Sequence, residues 1–249
     1  MTVAPIVAAE VLFGSVRTQC NARSINHSMT AETLDSTTFC SGGWEEYVAG
    51  LKSGSLSFDG FADFTAITNG IAVDKELFDN LGSAGAPVSV AVPAAAATAV
   101  AVGDPAYTSR SLAAGFSTFG AVGELTPIEA DIETTGLVAR GSILHTTAAA
   151  ETATGTATGV ELGELSSTQS LYVALHVVAA VTGTVTVKVQ SDDNSGFTSA
   201  TDRLTFTSAG SAGWQWGTVA GAITDTWWRA QWTVAGGGSY TFAVVAGIA

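Results

Sequence analysis

Apolar and polar residues alternate along much of the chain, which is the period expected of β-strands that have one buried face. Residues 54–64 are the clearest case. Leu56 and Phe58 would lie on the buried side of this strand, with Asp59 on the solvated side. The segment therefore predicts a strand whose apolar side packs into a core.

One short segment, residues 73–82, has a helical period instead. Asp74 is placed to cap the start of this predicted helix, and Gly82 is placed to end it. The predicted apolar face of the helix consists of Val73, Leu77, Phe78 and Leu81.

A second alternating segment, residues 115–136, places three acidic residues on one side of a predicted strand. Glu129, Asp131 and Glu133 alternate there with apolar residues. Such an acidic side has to remain solvated or to face something that it must not bind.

Small residues without apolar periodicity follow position 146, which is typical of a flexible connector. We place a linker at residues 149–158, between a first domain at 1–148 and a second at 159–249. Six strand patterns at short spacing fill the second domain and predict a β-sandwich of the jelly-roll or immunoglobulin-like type. With 28 Gly, few charged residues and one short helix, the chain as a whole is predicted to be all-β.

The charge is acidic: 9 Lys and Arg oppose 22 Asp and Glu, which gives −13. The chain lacks the basic stripe that nucleic-acid binding requires, so DNA would not be gripped by it. No stretch has the roughly eighteen apolar residues of a membrane span, and the N-terminus has no basic signal-peptide region. We expect a soluble protein that is made in a cytoplasm.

Motifs that carry chemistry are missing from the sequence. His27, His145 and His176 are scattered, and no zinc, phosphate-binding or nucleophile motif is present. We therefore expect no enzyme activity, no catalytic residues, no cofactor and no metal. Cys20 and Cys40 match no disulfide framework, and free thiols are the favoured interpretation.

Five of the six tryptophans lie in the last forty residues. Tryptophans on a β-module stack on sugar rings in some proteins and form an aromatic core in others. Trp227 is the candidate for surface binding, because it would lie on the face opposite Trp228 and Trp232.

The segment at about 28–52 has neither a helical nor a strand pattern over most of its length. Loops this long without secondary structure are uncommon inside an isolated domain and are usually binding elements or linkers. We expect it to be a binding element.

The run "TLDSTTFCSGGWEEYVAGLKSGSLSFDGFAD" resembles a pattern shared by the major tail tube proteins of long-tailed bacteriophages. A later run, "GELTPIEADIETTGLVARG", is similar to the closing strands of that family. The residues that carry the two matches are Asp35, Thr37, Thr38, Glu46, Tyr47, Gly50, Leu51, Gly54, Phe58 and Gly60, then Gly123, Glu124, Leu125, Pro127, Gly136 and Gly141.

The resemblance implies a tail-tube-type β-sandwich or barrel whose copies close into rings, six to a ring, that stack into a tube for DNA ejection. It implies that the long loop reaches a neighbouring copy, and that tape measure, terminator and distal tail proteins are further partners in the virion. The implied inter-subunit residues are Asp35, Thr37, Thr38, Trp44, Glu46, Tyr47 and Leu51.

An acidic lumen would let a polyanion slide, because fixed positive charges would hold its phosphates. The predicted lumen residues are Asp59, Asp63, Glu129, Asp131 and Glu133. The second domain would lie on the outside of the tube. An alternative is a carbohydrate-binding, adhesion or capsid decoration protein that acts through the tryptophan-rich second domain.

Overall fold

The computed structural model describes residues 8–18, 22–62, 64, 70–94 and 97–249, so Cys20 and Asp63 lie outside the described residues. Within these ranges the chain forms sixteen β-strands and one short helix, which confirms the all-β prediction. In chain order they are β1 (Glu10–Phe13), β2 (Val16–Arg17), β3 (Ala22–Asp35), β4 (Tyr47–Phe61), α1 (Val73–Asp79), β5 (Ala86–Ala91), β6 (Pro105–Thr118), β7 (Pro127–Thr134), β8 (Ala139–His145), β9 (Gly155–Thr156), β10 (Val160–Glu161), β11 (Ser170–Val181), β12 (Thr184–Asp192), β13 (Thr201–Thr205), β14 (Gly213–Ala220), β15 (Trp227–Ala235) and β16 (Ser239–Ile248).

The long strand β6 organises the first half of the chain. One edge of β6 pairs with β5, while the other edge pairs with β8 near its start and with β7 near its end. From β7 the sheet continues to β4 and β3. The strands on both sides of β6 contribute to one apolar core, which contains Phe13, Leu56, Leu77, Val88 and Ile132.

The alternation in residues 54–64 describes β4 correctly over its inner half. Leu56 and Phe58 are buried, at 1% and 4% exposure, while Ser57 and Asp59 on the opposite side are half-buried. β7 follows the same rule, with Ile128 and its alternate neighbours in the core. In both strands, the alternating pattern in the sequence arises because one face is buried by the chain itself.

The helix is shorter than predicted, and its N-terminal cap was predicted wrongly. The cap position is Ala72, whose side chain makes no capping hydrogen bond, and Asp74 lies inside the first turn. Leu77 is buried, but Phe78 is 69% exposed, because the next residue along a helix points about 100° away. The end was also predicted wrongly: the helix stops at Asp79 with Asn80 as its C-cap, whereas Gly82 lies beyond the cap, with φ +70 and its N–H donating to the Ala113 carbonyl.

The segment at about 28–52 is not the unstructured loop that was predicted. β3 and β4 form one long antiparallel hairpin, which is paired from Ala22 opposite Gly60 out to Asp35 opposite Tyr47. Residues 36–46 close it. Its outer half was missed because neither face is buried by its own chain, so the sequence has no apolar face to reveal a strand period.

The last third of the chain is a two-layer sandwich, and all six predicted strands are present as β11 to β16. One layer is β14–β11–β16, and the other is β10–β15–β12–β13 with β9 beside β15. Trp228 and Trp232 of β15 fill the core between the layers. Their indole N–H groups donate to the carbonyls of Gly163 and Ala153, both at 2.9 Å.

The flexible linker predicted at 149–158 is instead tied to the second half. Glu151 forms a bridge with Tyr240, and β9 pairs with β15. The small residues have a packing reason, since a Cβ on Gly155 would lie 2.6 Å from the Trp232 ring. β16 also pairs with β8, so one sheet runs through both halves. The division into two domains stays a prediction.

Candidate assembly surfaces

The outer half of the β3–β4 hairpin, residues 29–53, is exposed on both faces, and we call it the projecting hairpin. It carries an unusual amount of uncovered apolar surface, since scattered exposed apolar residues are normal but a contiguous set indicates an interaction site. The exposed apolar side chains are Met29, Leu34, Phe39, Trp44, Tyr47, Val48 and Leu51. Two of them, Trp44 and Leu51, are 80% and 82% exposed.

The hairpin tip, residues 36–46, is held in shape by local hydrogen bonds. The Asp35 carboxylate accepts from the N–H of Thr37 at 2.8 Å, and the Thr37 hydroxyl accepts from the N–H of Glu46 at 2.9 Å. The Thr38 N–H donates to the Ser41 hydroxyl. The hydrogen bonds from Thr37 also lower the pKa of Asp35. The polar residues of the first motif thus shape the tip.

The side chains at the tip combine aromatic and acidic groups. Phe39 is fully exposed and Trp44 nearly so. The hydroxyl of Tyr47 donates to Glu45 at 2.6 Å, which raises the pKa of Tyr47 and occupies one carboxylate of the neighbouring acidic pair. Among the described residues, the Glu46 side chain accepts no hydrogen bond, so it is free for another partner.

The acidic face, defined by Asp59, Glu129, Asp131 and Glu133, is formed by the pairing of β4 with β7. Asp59 lies directly opposite Glu129, while Ser57 and Ser55 lie opposite Asp131 and Glu133. The three β7 acids are exposed, and Asp59 is half-buried. The structure thus brings together four of the five predicted lumen residues on one solvent-facing side.

The pairing of Asp59 with Glu129 is unfavourable by itself. Like charges directly opposite each other in a sheet destabilise it, by about 0.2–1 kcal/mol. Within the described ranges, no Lys, Arg or His forms an ion pair with any member of the acidic face. Arg23 lies near its end, over the Phe61 ring at 5.4 Å. The described residues therefore leave the negative charge of the acidic face uncompensated.

The proposed sugar-binding tryptophan has little surface to offer. Trp227 is half-buried, between Glu161 and Asp192 on the neighbouring strands. Trp228 and Trp232 of the same strand are buried, and the exposed Trp214 lies on β14 in the other layer of the sandwich. In the part of the chain that is described, no group of three or more His, Cys, Asp or Glu side chains could hold a metal. The same part contains no helix long and apolar enough to cross a bilayer.

A buried histidine joins the two halves of the chain, and sequence reasoning treated it only as scattered. His176 of β11 lies 2.7 Å from the Gly14 carbonyl through Nδ1 and 2.9 Å from the Ser89 hydroxyl through Nε2. A carbonyl only accepts, so Nδ1 carries the proton and Nε2 accepts from Ser89. Burial lowers the pKa of His176 to about 4. The sequence did contain a sign of this buried histidine, because His176 lies within the apolar run "LYVALHVVAA".

No family model matches the chain, and no curated protein matches it. Among solved structures, it is similar to a chain in the virion of a native gene transfer agent particle, with 19% identity and a TM-score of 0.38 over 48% of this chain and 84% of that one. It is similar to the tail tube of SPP1, with 11% identity and a TM-score of 0.40 over 55% and 80%.

A third similar structure is the Dit protein of SPP1, described as a hub adsorption apparatus in phages that infect Gram-positive bacteria. The identity is 9% and the TM-score 0.35, over 94% of this chain and 98% of that one. At these identities and TM-scores the likenesses carry no argument about function, which has to rest on the residues and surfaces described above.

Proposed function

We propose that this protein is a structural subunit of a phage-type tail tube, in which six copies form a ring and the rings stack. The observation that carries the proposal is the projecting hairpin, whose apolar side chains are ordered by the hairpin ladder but covered by nothing in their own subunit. A second copy would cover them. The hairpin also contains the motif that resembles the tail tube family.

The acidic face would line the lumen of this tube. DNA carries one negative charge about every 1.7 Å of helix axis, and a Lys or Arg in the wall would hold a phosphate and release a counterion. A wall of carboxylates and serines gives DNA nothing to bind. The uncompensated pairing of Asp59 with Glu129 supports this role, because the sheet itself gains nothing from it.

The β11–β16 sandwich would lie on the outside of the tube, away from the acidic face. The first partner of the subunit is another copy of itself, and tape measure, terminator and distal tail proteins would meet the ends of the tube. Assembly would take place in the host cytoplasm, and the finished protein would belong to the virion. It binds no cofactor in this function and does no chemistry.

Electron microscopy of the purified protein in negative stain tests the proposal. Tubes about 100 Å wide are expected, which is the width of a ring of small domains around a channel. Stacked or single rings would support ring closure. A protein that remains monomeric at every concentration, with the hairpin exposed, would contradict the proposal.

Reversing the charge of the acidic face is expected to slow DNA ejection without preventing assembly. In a variant with Asp59→Lys, Glu129→Lys and Asp131→Lys, three new phosphate contacts per subunit would hold the moving DNA, and we expect ejection from virions to slow by about tenfold. The slowing should weaken at high salt, because counterion release drives phosphate binding.

The matched control places three lysines at exposed acids of the second half, as Glu161→Lys, Glu164→Lys and Asp193→Lys. Virions with these outer lysines should eject DNA at the normal rate. If both variants form tubes and eject DNA at equal rates, the proposal that the acidic face lines the lumen is contradicted.

A further inference from the structure

An apolar cleft of ≈ 620 Å³ opens at the base of the projecting hairpin, and we call it the hairpin cleft. It lies between β3 and β4 on one side and the β7–β8 connection on the other, at the end of the projecting hairpin that is nearer to the core. Its lining residues are Met29, Thr30, Ala31, Lys52, Ser53, Gly136, Leu137, Val138 and Ala249.

Two features make the hairpin cleft suited to an apolar side chain with an acidic neighbour. Met29 and Leu137 are 53% and 48% exposed, so the cleft has apolar walls that its own subunit leaves open. Lys52 is the only charged side chain among its lining residues, and within the described ranges it forms no ion pair. The other two lysines of the chain, Lys75 and Lys188, form ion pairs with Asp79 and Asp202.

The hairpin tip has the complementary chemistry. It presents the exposed rings of Phe39 and Trp44, and two residues after Trp44 it presents the exposed carboxylate of Glu46. An aromatic ring placed in a pocket is the usual anchor of an interface, and a charge at the rim adds orientation.

The tip and the hairpin cleft of one subunit cannot meet. They belong to the same rigid ladder, in which Lys52 lies opposite Ala31 and Tyr47 lies opposite Asp35. Five residues of β-strand separate Lys52 from Tyr47, which corresponds to about 17 Å at about 3.3 Å per residue. The tip can therefore enter only the cleft of another copy.

We propose that the hairpin tip of one copy inserts Trp44 into the hairpin cleft of the next copy, where Glu46 pairs with Lys52. This rests on the proposed function and specifies its contact. Because the two surfaces differ, the contact is head-to-tail, and such contacts propagate into rings or open helical assemblies. A subunit at one end of an assembly would present a free tip, and one at the other end a free cleft.

Disulfide trapping tests the contact. Cys40 lies at the exposed tip, and Leu137→Cys would place a second thiol in the cleft wall, in a background with Cys20→Ser. A disulfide needs Cα atoms within roughly 7 Å, so oxidation can join these two thiols only between copies. We expect a ladder of cross-linked dimers, trimers and higher species on non-reducing gels, which Cys40→Ser should remove.

The control places the second thiol at Thr233→Cys, an exposed position on the outer sheet of the sandwich, where little cross-linking is expected. Adding Lys52→Glu to the Leu137→Cys protein should reduce the cross-linked fraction several-fold, because the tip then meets a like charge.

The outcomes separate the two proposals. Tubes without a Cys40–Leu137→Cys cross-link, or with no more than the Thr233→Cys control gives, would overturn the tip-in-cleft contact and leave the tail tube proposal standing. Cross-linked ladders without rings or tubes would support the contact and overturn the tube. Monomers that neither assemble nor cross-link would overturn both.

Discussion

Replacing Phe39 and Trp44 together with serine is expected to abolish assembly while leaving the stability of the single subunit unchanged. Both rings are exposed in the subunit, so their removal costs no packing there. Burial of a large apolar side chain contributes about 1.5–3 kcal/mol. Two lost rings would therefore weaken each contact between copies by about 4 kcal/mol, or about a thousandfold in affinity.

Sedimentation or negative-stain microscopy measures the assembly, and thermal unfolding of dilute protein measures the subunit. Val181→Ser is a suitable control, because Val181 is an exposed apolar residue at the end of β11, far from the hairpin in the sheet order. Tubes formed by the double variant at the normal concentration would contradict the role of the tip. A lower unfolding temperature would mean that the rings pack within their own subunit.

Acidification from pH 7 to pH 4 is expected to weaken the fold through His176. Its pKa is about 4 in the folded chain and about 6.5 when unfolded, so between these values only the unfolded chain takes up the proton. The stability from the neutral imidazole is complete above pH 6.5 and is lost as the pH falls toward 4. The difference in pKa corresponds to about 3 kcal/mol in the free energy of unfolding.

Denaturant unfolding at a series of pH values checks this, with His176→Gln as the comparison. Glutamine keeps a donor and an acceptor but does not titrate, so this variant should be less stable at pH 7 and should lose less stability between pH 6.5 and 4. His27, whose pKa is also lowered by burial, adds to the slope in both proteins and cancels in the comparison. Parallel profiles for the two proteins would contradict the prediction.

The sequence predicts those strands that have at least one buried face. The inner half of β4, all of β7 and β15 alternate because one face of each lies in a core. The outer half of β3 and β4 gives no such signal, because both faces meet solvent in a single subunit. Because residues 28–52 show no buried face, their strands were not predicted, and for the same reason the segment was predicted to be a binding element.

The candidate site was predictable by residue type but not by arrangement. The acids of β7 could be placed on one side from their alternation alone, whereas their register with Asp59 depends on which strands pair, and sequence spacing does not determine this. The hairpin cleft joins residues about 100 positions apart, and His176 acts through Gly14 and Ser89. Contacts of this kind follow from the fold, so the local pattern does not contain them.

Because β16 pairs with β8, the protein is not expected to tolerate truncation between its two halves. A stop codon after position 148 would remove β11 and β16 together, so β8 would keep β6 on one edge but lose β16 on the other, and Leu144 would lose the core around it. An open strand edge of this kind promotes aggregation. Residues 149–249 are therefore needed to cover β8 and Leu144, and a chain shortened at position 148 is expected to aggregate.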